Sequence, residues 1–320
     1  MNLQTQISFR KADKQIDYAS ELMLLGSCFS EHIGAKLDYF KFRTLQNPFG
    51  IFFHPLAIEN LITRAIQKRG YTPEDLFYHN ERWHCFDAHS NTSNVSNEKV
   101  LEGLNGQLRK TEQLLSKASH IIITLGTGWT YQKRETGVTV ANCHKIPQKE
   151  FKKQLLTVDE ITASLQRAIQ QIRTVNKNAQ LVFTISPVRH LKDGFVENQR
   201  SKAHLIAAVH DIVNAYADEE KSRVAYFESY ELMMDELRDY RFYKADMIHP
   251  NTLAIDYIWE KFSEVWVSDD AQVTMKLVEE IQRGLEHRPF NPNSEQHQKF
   301  LESLKEKISY IKKEHPAMTF

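Results

Sequence analysis

The chain has 320 residues, enough for one large α/β domain with an appendage, and its 41 basic side chains are balanced by 41 acidic ones. That neutrality removes the electrostatic case for a nucleic-acid or anionic-membrane partner. No apolar run approaches the roughly 20 residues of a membrane helix, and the opening MNLQTQISFRKADKQID lacks the apolar core of a signal peptide, so a cytoplasmic location is expected.

Taken in chain order, the first strand is predicted at 21–26 (ELMLLG) and runs into a helix over 30–39, capped by Ser30, with a second strand at 42–45. Residues 71–99 form an insertion rich in His, Asn and Ser. A helix at 100–117 leads to a third strand at 120–126 (HIIITLG), and WTYQKRETGVTVANC then reads as a β-hairpin turning near Thr136–Gly137. A helix over 157–175 that starts at Asp159, a fourth strand at 180–186, a helix over 200–218 that starts at Ser201, and a fifth strand at 223–229 follow. These strands are continuous apolar runs rather than alternating ones, as expected where both faces of a parallel sheet are covered. Strand and helix in alternation imply right-handed crossovers and three layers. We place this α/β domain at 1–270. The tail, 271–320, reads as two amphipathic helices over 271–287 and 294–313, broken at Pro289 and Pro292, with Ser294 capping the second. With no strand of their own, they are expected to pack on the main domain or on a second subunit in a homo-oligomer.

In open α/β sheets, ligands bind beyond the carboxyl ends of the strands. Polar and small residues stand at every such exit: Gly26-Ser27-Cys28, Asn47-Pro48-Phe49-Gly50, Gly126-Thr127-Gly128-Trp129, Ser186-Pro187-Val188-Arg189-His190, and finally Asp246-Met247-Ile248-His249-Pro250-Asn251. Asp246 and His249, three apart in a short turn, suit a carboxylate that holds an imidazole as base. Arg189 and His190 are placed to contact an anionic or sugar substrate. His54 serves equally well as a pocket residue or a structural one. The three cysteines (Cys28, Cys85, Cys143) are an odd, widely spaced set that suggests neither disulfides nor a zinc site. His84, Asp87, His89 and Ser90 fit no zinc spacing and read as loop packing. Cys143 and His144 make a poor dyad, because strand neighbours point to opposite faces.

LLGSCFSEH resembles the first block of the SGNH (GDSL-like) hydrolases, and DMIHPN their last. GSCF, NPFG, the NCHK at 142–145, SPVRH, the SKA at 201–203 and HPN together resemble the GSCFA family, a branch of that superfamily, over about residues 20 to 300. The resemblance implies a flavodoxin-like three-layer sandwich with a five-stranded central parallel sheet. It also implies an acyl-ester hydrolase or acyltransferase that acts on a small or carbohydrate ester and needs no cofactor and no metal. It puts Cys28 at the nucleophile position, with Ser27 as the alternative, His249 as base and Asp246 as its orienter. Gly50 would offer a backbone N–H to the oxyanion hole beside that of Cys28, with Asn47, Gly126, Thr127, Arg189 and His190 around the substrate. The third block departs from the superfamily: its usual Asn is absent, Gly128 or Trp129 stands there, and Thr127 or Thr130 is the expected substitute. A degenerate member that binds a glycan or acyl ligand without turnover is the rival reading. A cysteine at a helix N-terminus beside His249 is expected to have a lowered pKa.

Overall fold

The computed structural model describes residues 4–217 and 223–320. The chain runs β1 (Glu21–Gly26), α1 (Cys28–Tyr39), β2 (Arg43–Gln46), α2 (Pro55–Ile66), β3 (Leu76–His79), β4 (Arg82–Cys85), α3 (Asn97–Lys117) and β5 (His120–Leu125). It continues with β6 (Trp129–Lys133), β7 (Thr139–Val140), β8 (Phe151–Leu155), α4 (Val158–Val175), β9 (Gln180–Ile185), α5 (Phe195–Ala215) and β10 (Val224–Phe227). A short helix, α6 (Ser229–Glu231), then α7 (Thr252–Trp266), α8 (Asp269–Glu286) and α9 (Glu295–Glu314) close the chain.

β2, β1, β5, β9 and β10 form one parallel sheet in that spatial order, the flavodoxin-like arrangement. Alternate residues of these apolar strands feed two cores. Met23, Leu25, Ile121, Ile123, Leu181 and Phe183 pack under α2 to α5. Leu22, Leu24, Ile122 and Val182 pack under α1 and α7. Burial on both faces explains why the strands read as unbroken apolar runs. Because all five strands are parallel, all their carboxyl ends open on one edge.

The tail joins the second core. Met275, Val278 and Ile281 of α8 and Leu304 and Ile311 of α9 are buried in it, and Gln282 donates to the Tyr39 carbonyl at 3.0 Å. Ser294 caps α9 by accepting from His297 N–H.

Several local expectations are corrected. The cap of α1 is Ser27, which accepts from Phe29 N–H, and Ser30 lies inside the first turn. α4 is capped by Thr157 in a reciprocal box with Glu160, so Asp159 is a first-turn acid rather than the start. Ser201 sits in the middle of α5, which begins at Phe195. Phe195 and Val196 are 68% and 71% exposed and give no inward stripe to read as helix. The hairpin at β6 and β7 gains β8 as a third strand, and the insertion contains the antiparallel pair β3–β4.

Candidate active site

The first exit is built for close approach. A Cβ on Gly26 (φ +133°) would collide with the Thr124 carbonyl of the neighbouring strand, so only glycine lets the chain turn there. Ser27 N–H donates to Thr124 O at 3.0 Å, and Cys28 opens α1. Ser27 is fully buried and its hydroxyl is the helix cap, whereas Cys28 is half-buried. Burial, then the charge of Glu31, push the Cys28 thiol up; the ammonium of Lys202 and the backbone N–H groups of Cys28 and Phe29 act in the opposite direction without winning. The expected lowering of this thiol is therefore corrected: desolvation outweighs the helix terminus.

The second exit is a lock. Asn47 Oδ1 accepts from Gly26 N–H at 2.9 Å and Asn47 Nδ2 donates to Ser30 Oγ at 3.1 Å. Gly50 N–H donates to Asn47 O at 2.7 Å. Gly50 holds φ +77°, and a Cβ there would collide with His89. Its amide is thus spent inside the turn instead of facing a ligand, which corrects its expected oxyanion role. Asn47 likewise braces the β1 exit with both amide atoms.

The third exit is pinned by α5. Thr127 Oγ1 and Ser201 Oγ lie 2.9 Å apart, and Gly128 N–H donates to Ser201 Oγ at 2.7 Å. Thr130 Oγ1 donates to Gln154 O at 3.2 Å. Both threonine hydroxyls already have partners, so neither stands in for the missing Asn. Gly126 passes under His190, whose Nε2 would sit 3.2 Å from a Cβ placed there. That Nε2 is buried with no hydrogen-bond partner among the described residues. Burial first, then the charges of Lys202 and His249, hold the His190 imidazole down to about 3.

The last exit carries a formed dyad. His249 Nδ1 and Asp246 Oδ2 lie 2.7 Å apart, and Asp246 Oδ1 also accepts from the His249 and Ile248 N–H groups at 2.9 Å. Those two backbone donors, then the imidazole, hold the Asp246 carboxyl down to about 2. With Nδ1 engaged, Nε2 of the partly exposed His249 ring is left to accept a proton.

These exits share electrostatic space. His249 acts on His32, whose pKa is lowered by burial, then by Lys244 and His249. His32 lies one turn after Cys28 on the same face of α1. Lys202 acts on both Cys28 and His190. An open cleft of about 560 Å³ adjoins Asp246, walled by Arg189, Met234, Arg238, Tyr240 and Tyr243, with Phe195 at its rim. Arg189 Nη2 rests on Met234 Sδ at 3.2 Å.

Other candidates are structural. His54 caps α2 through Nδ1 and its Nε2 lies 3.0 Å from Val140 O; burial holds it down to about 4. His144 is bonded to Ser90 Oγ and Cys85 O, and Asn142 to Ser90 and His144 N–H, so the NCHK segment braces the 88–93 loop. Asp87 pairs with the buried Arg64, His84 bonds Ser93 Oγ and His79 O, and His89 accepts from Asn91 N–H. Among the described residues, no group of three or more His, Cys, Asp or Glu side chains is arranged to hold a metal ion. Nor is any of their helices long and apolar enough to cross a membrane.

The GSCFA family model matches residues 21–262, and that of the GSCFA domain protein, C-terminal domain, matches 278–320. No curated protein matches the chain. Among solved structures, an acetyl xylan esterase (Est2A) from the rumen bacterium Butyrivibrio proteoclasticus is similar at 12% identity and TM-score 0.40, over 84% of this chain and 65% of that one. A carbohydrate esterase family 3 structure from Talaromyces cellulolyticus is similar at 9% identity and TM-score 0.36, over 82% of this chain and 99% of that one.

Proposed function

The chain belongs to the GSCFA family, and from that premise we propose that it cleaves or transfers the acyl group of a small or carbohydrate ester. The observation that carries this reading is the Asp246–His249 pair, joined at 2.7 Å beyond the carboxyl edge of the sheet. A carboxylate pinned by two backbone N–H groups fixes one imidazole tautomer and supports the cation that forms when Nε2 takes a proton. Cys28 is the nucleophile in this reading, because the residue is only half-buried while Ser27 is fully buried with its hydroxyl in a helix cap. His249 withdraws the thiol proton, the sulphur bonds to the ester carbonyl carbon, and the C–O bond to the alcohol breaks as His249 returns the proton to it. Water, or an acceptor hydroxyl, then releases the acyl group. The exposed ring of Tyr240 and the guanidinium of Arg189 line the cleft beside the dyad and suit the flat faces and oxygen atoms of a sugar.

A second reading keeps the cleft for binding alone. The commitment of Gly50 N–H, Asn47 and Thr127 favours it, since losing one oxyanion donor costs about 10²–10³ in rate.

Turnover on a panel of activated and sugar esters tests both. Cys28→Ala is expected to abolish turnover and remove iodoacetamide labelling of that peptide by mass spectrometry. His249→Ala is expected to lower kcat by about 10²–10⁴. Ser27→Ala is expected to cost about 1 kcal/mol of stability through the lost cap and to leave most activity. An inactive Ser27→Ala with an active Cys28→Ala would hand the role to serine. A parent protein that binds but does not turn over any ester would select the binding reading.

A further inference from the structure

The cleft of about 560 Å³ that adjoins Asp246 is walled mostly by apolar side chains. Leu191, Phe195, Met233, Met234 and Met247 supply them, together with the rings of Tyr240 and Tyr243. Among the described residues, no Ser, Thr, Asn or Gln side chain lines it. Its charged groups are largely committed elsewhere. Arg238 pairs with Asp235 at 3.3 Å, Asp239 with Arg241 at 2.9 Å, and Asp246 holds His249. Met233 and Met234 belong to a π-helical turn over Leu232–Glu236, a rare form that concentrates at functional sites. Methionine adapts its shape to an irregular apolar guest. Around the cleft Phe195, Tyr240 and Met247 are 68%, 74% and 51% exposed, so apolar surface stands open to water next to the dyad.

We infer that this cleft receives the acyl part of the ester, and that this part is an aliphatic chain longer than acetyl. The inference deepens the reading above and rests on it. Asp246 is shared between the cleft wall and the dyad, so a chain lying in the cleft ends beside the catalytic pair. Volume argues the same way. A cleft of about 300–1,000 Å³ suits a drug-sized ligand, and an acetyl group would leave this one almost empty. A sugar needs a hydrogen-bond partner for each hydroxyl it buries, and this lining offers few. The Arg189 guanidinium and the tyrosine hydroxyls remain for the alcohol part.

The test is kcat/KM for p-nitrophenyl acetate, butyrate, hexanoate and octanoate, beside calorimetric binding of the free acetate, hexanoate and octanoate anions. Both kcat/KM and affinity are expected to rise about fourfold per buried methylene, on the order of 10² from acetate to hexanoate. Phe195→Asp puts a charge at an exposed rim position, where folding does not depend on the ring. It is expected to cut the hexanoate-to-acetate ratio about tenfold or more in both measurements. Turnover fastest on acetate, or an affinity that does not grow with chain length, would overturn the inference; the former would leave the hydrolase reading standing. A Phe195→Asp series superimposable on the parent's would place the chain elsewhere and overturn it too. Affinity that grows with chain length and weakens in Phe195→Asp, in a protein that turns over no ester, would uphold the cleft and reject the turnover.

Discussion

Removal of residues 271–320 is expected to leave a protein that aggregates or melts at least about 10 °C below the parent. The reason lies in which surface the tail covers. Met275, Val278, Ile281, Leu304 and Ile311 belong to the same buried cluster as Leu37, Phe40, Trp259 and Phe262 of the α/β domain. Tyr18 packs on His315 with ring centroids 4.8 Å apart, and Lys41 lies over the Phe320 ring at 5.4 Å. Deletion would leave that side of α1 and α7 open to water. A fully buried large apolar side chain contributes about 1.5–3 kcal/mol, so several of them together match the roughly 5–15 kcal/mol by which a whole domain is stable. A thermal melt with light scattering on the 1–270 fragment checks this. We propose on the same ground that 271–320 does not fold alone; a monomeric fragment with the parent's Tm would show it to be a separate module.

Most of the sheet was legible because fully covered strands leave unbroken apolar runs between helical patterns, and ELMLLG and HIIITLG have few other readings. Helix α2 was not read, although Pro55 at the first helical position is a start signal; a helix after His249 was weighed only with His249 as its cap, whereas Asn251 caps α7. Both follow site motifs, His54-Pro55 and His249-Pro250-Asn251, whose residues were weighed chiefly for chemistry. Within the site, side-chain types were readable and hydrogen-bond partners were not. That Gly50 N–H turns back on Asn47 O, or that Thr127 meets Ser201 across 74 positions, depends on tertiary packing with no local pattern. The burial of Lys202 was missed for a related reason. A lysine in a helix is ordinarily solvated, and its only signal was the SKA triplet. The triplet marks the place where α5 reaches over the sheet edge, with Ser201 holding Gly128 and Lys202 holding Gly126.

Below pH 6.5 the fold is expected to lose stability steeply, through histidines that it keeps neutral. Burial holds His54 and His120 down to about 4, and His190 down to about 3. His144 is also lowered to about 4, by burial first. Each ring has a reason to stay neutral. His54 accepts from Ala57 N–H at 3.2 Å, and His120 is bonded between Ser119 Oγ and Lys14 O. A group whose pKa is lower in the folded state binds more protons when unfolded, between its folded and unfolded values. Stability therefore rises with pH across that window, here from about 4 to the unperturbed 6.5, by up to about 1.4 kcal/mol per pH unit for each ring. Asp87, Glu228 and Glu231 act in the opposite sense, since burial raises them and the fold holds their protons. Asp246, held down to about 2 by backbone donors, works in the same direction only at the acid end of this window, where the carboxyl of the unfolded chain takes up its proton. A single variant isolates the effect. His54→Asn keeps an acceptor at the α2 cap, where Asn is favoured, and removes the titrating ring. Urea unfolding of parent and variant at pH 7, 6 and 5 is expected to give a shallower decline for His54→Asn, by about 1 kcal/mol per pH unit. Parallel declines would show that the His54 imidazole is protonated in the folded protein as readily as in the unfolded chain, and that acid sensitivity has another source.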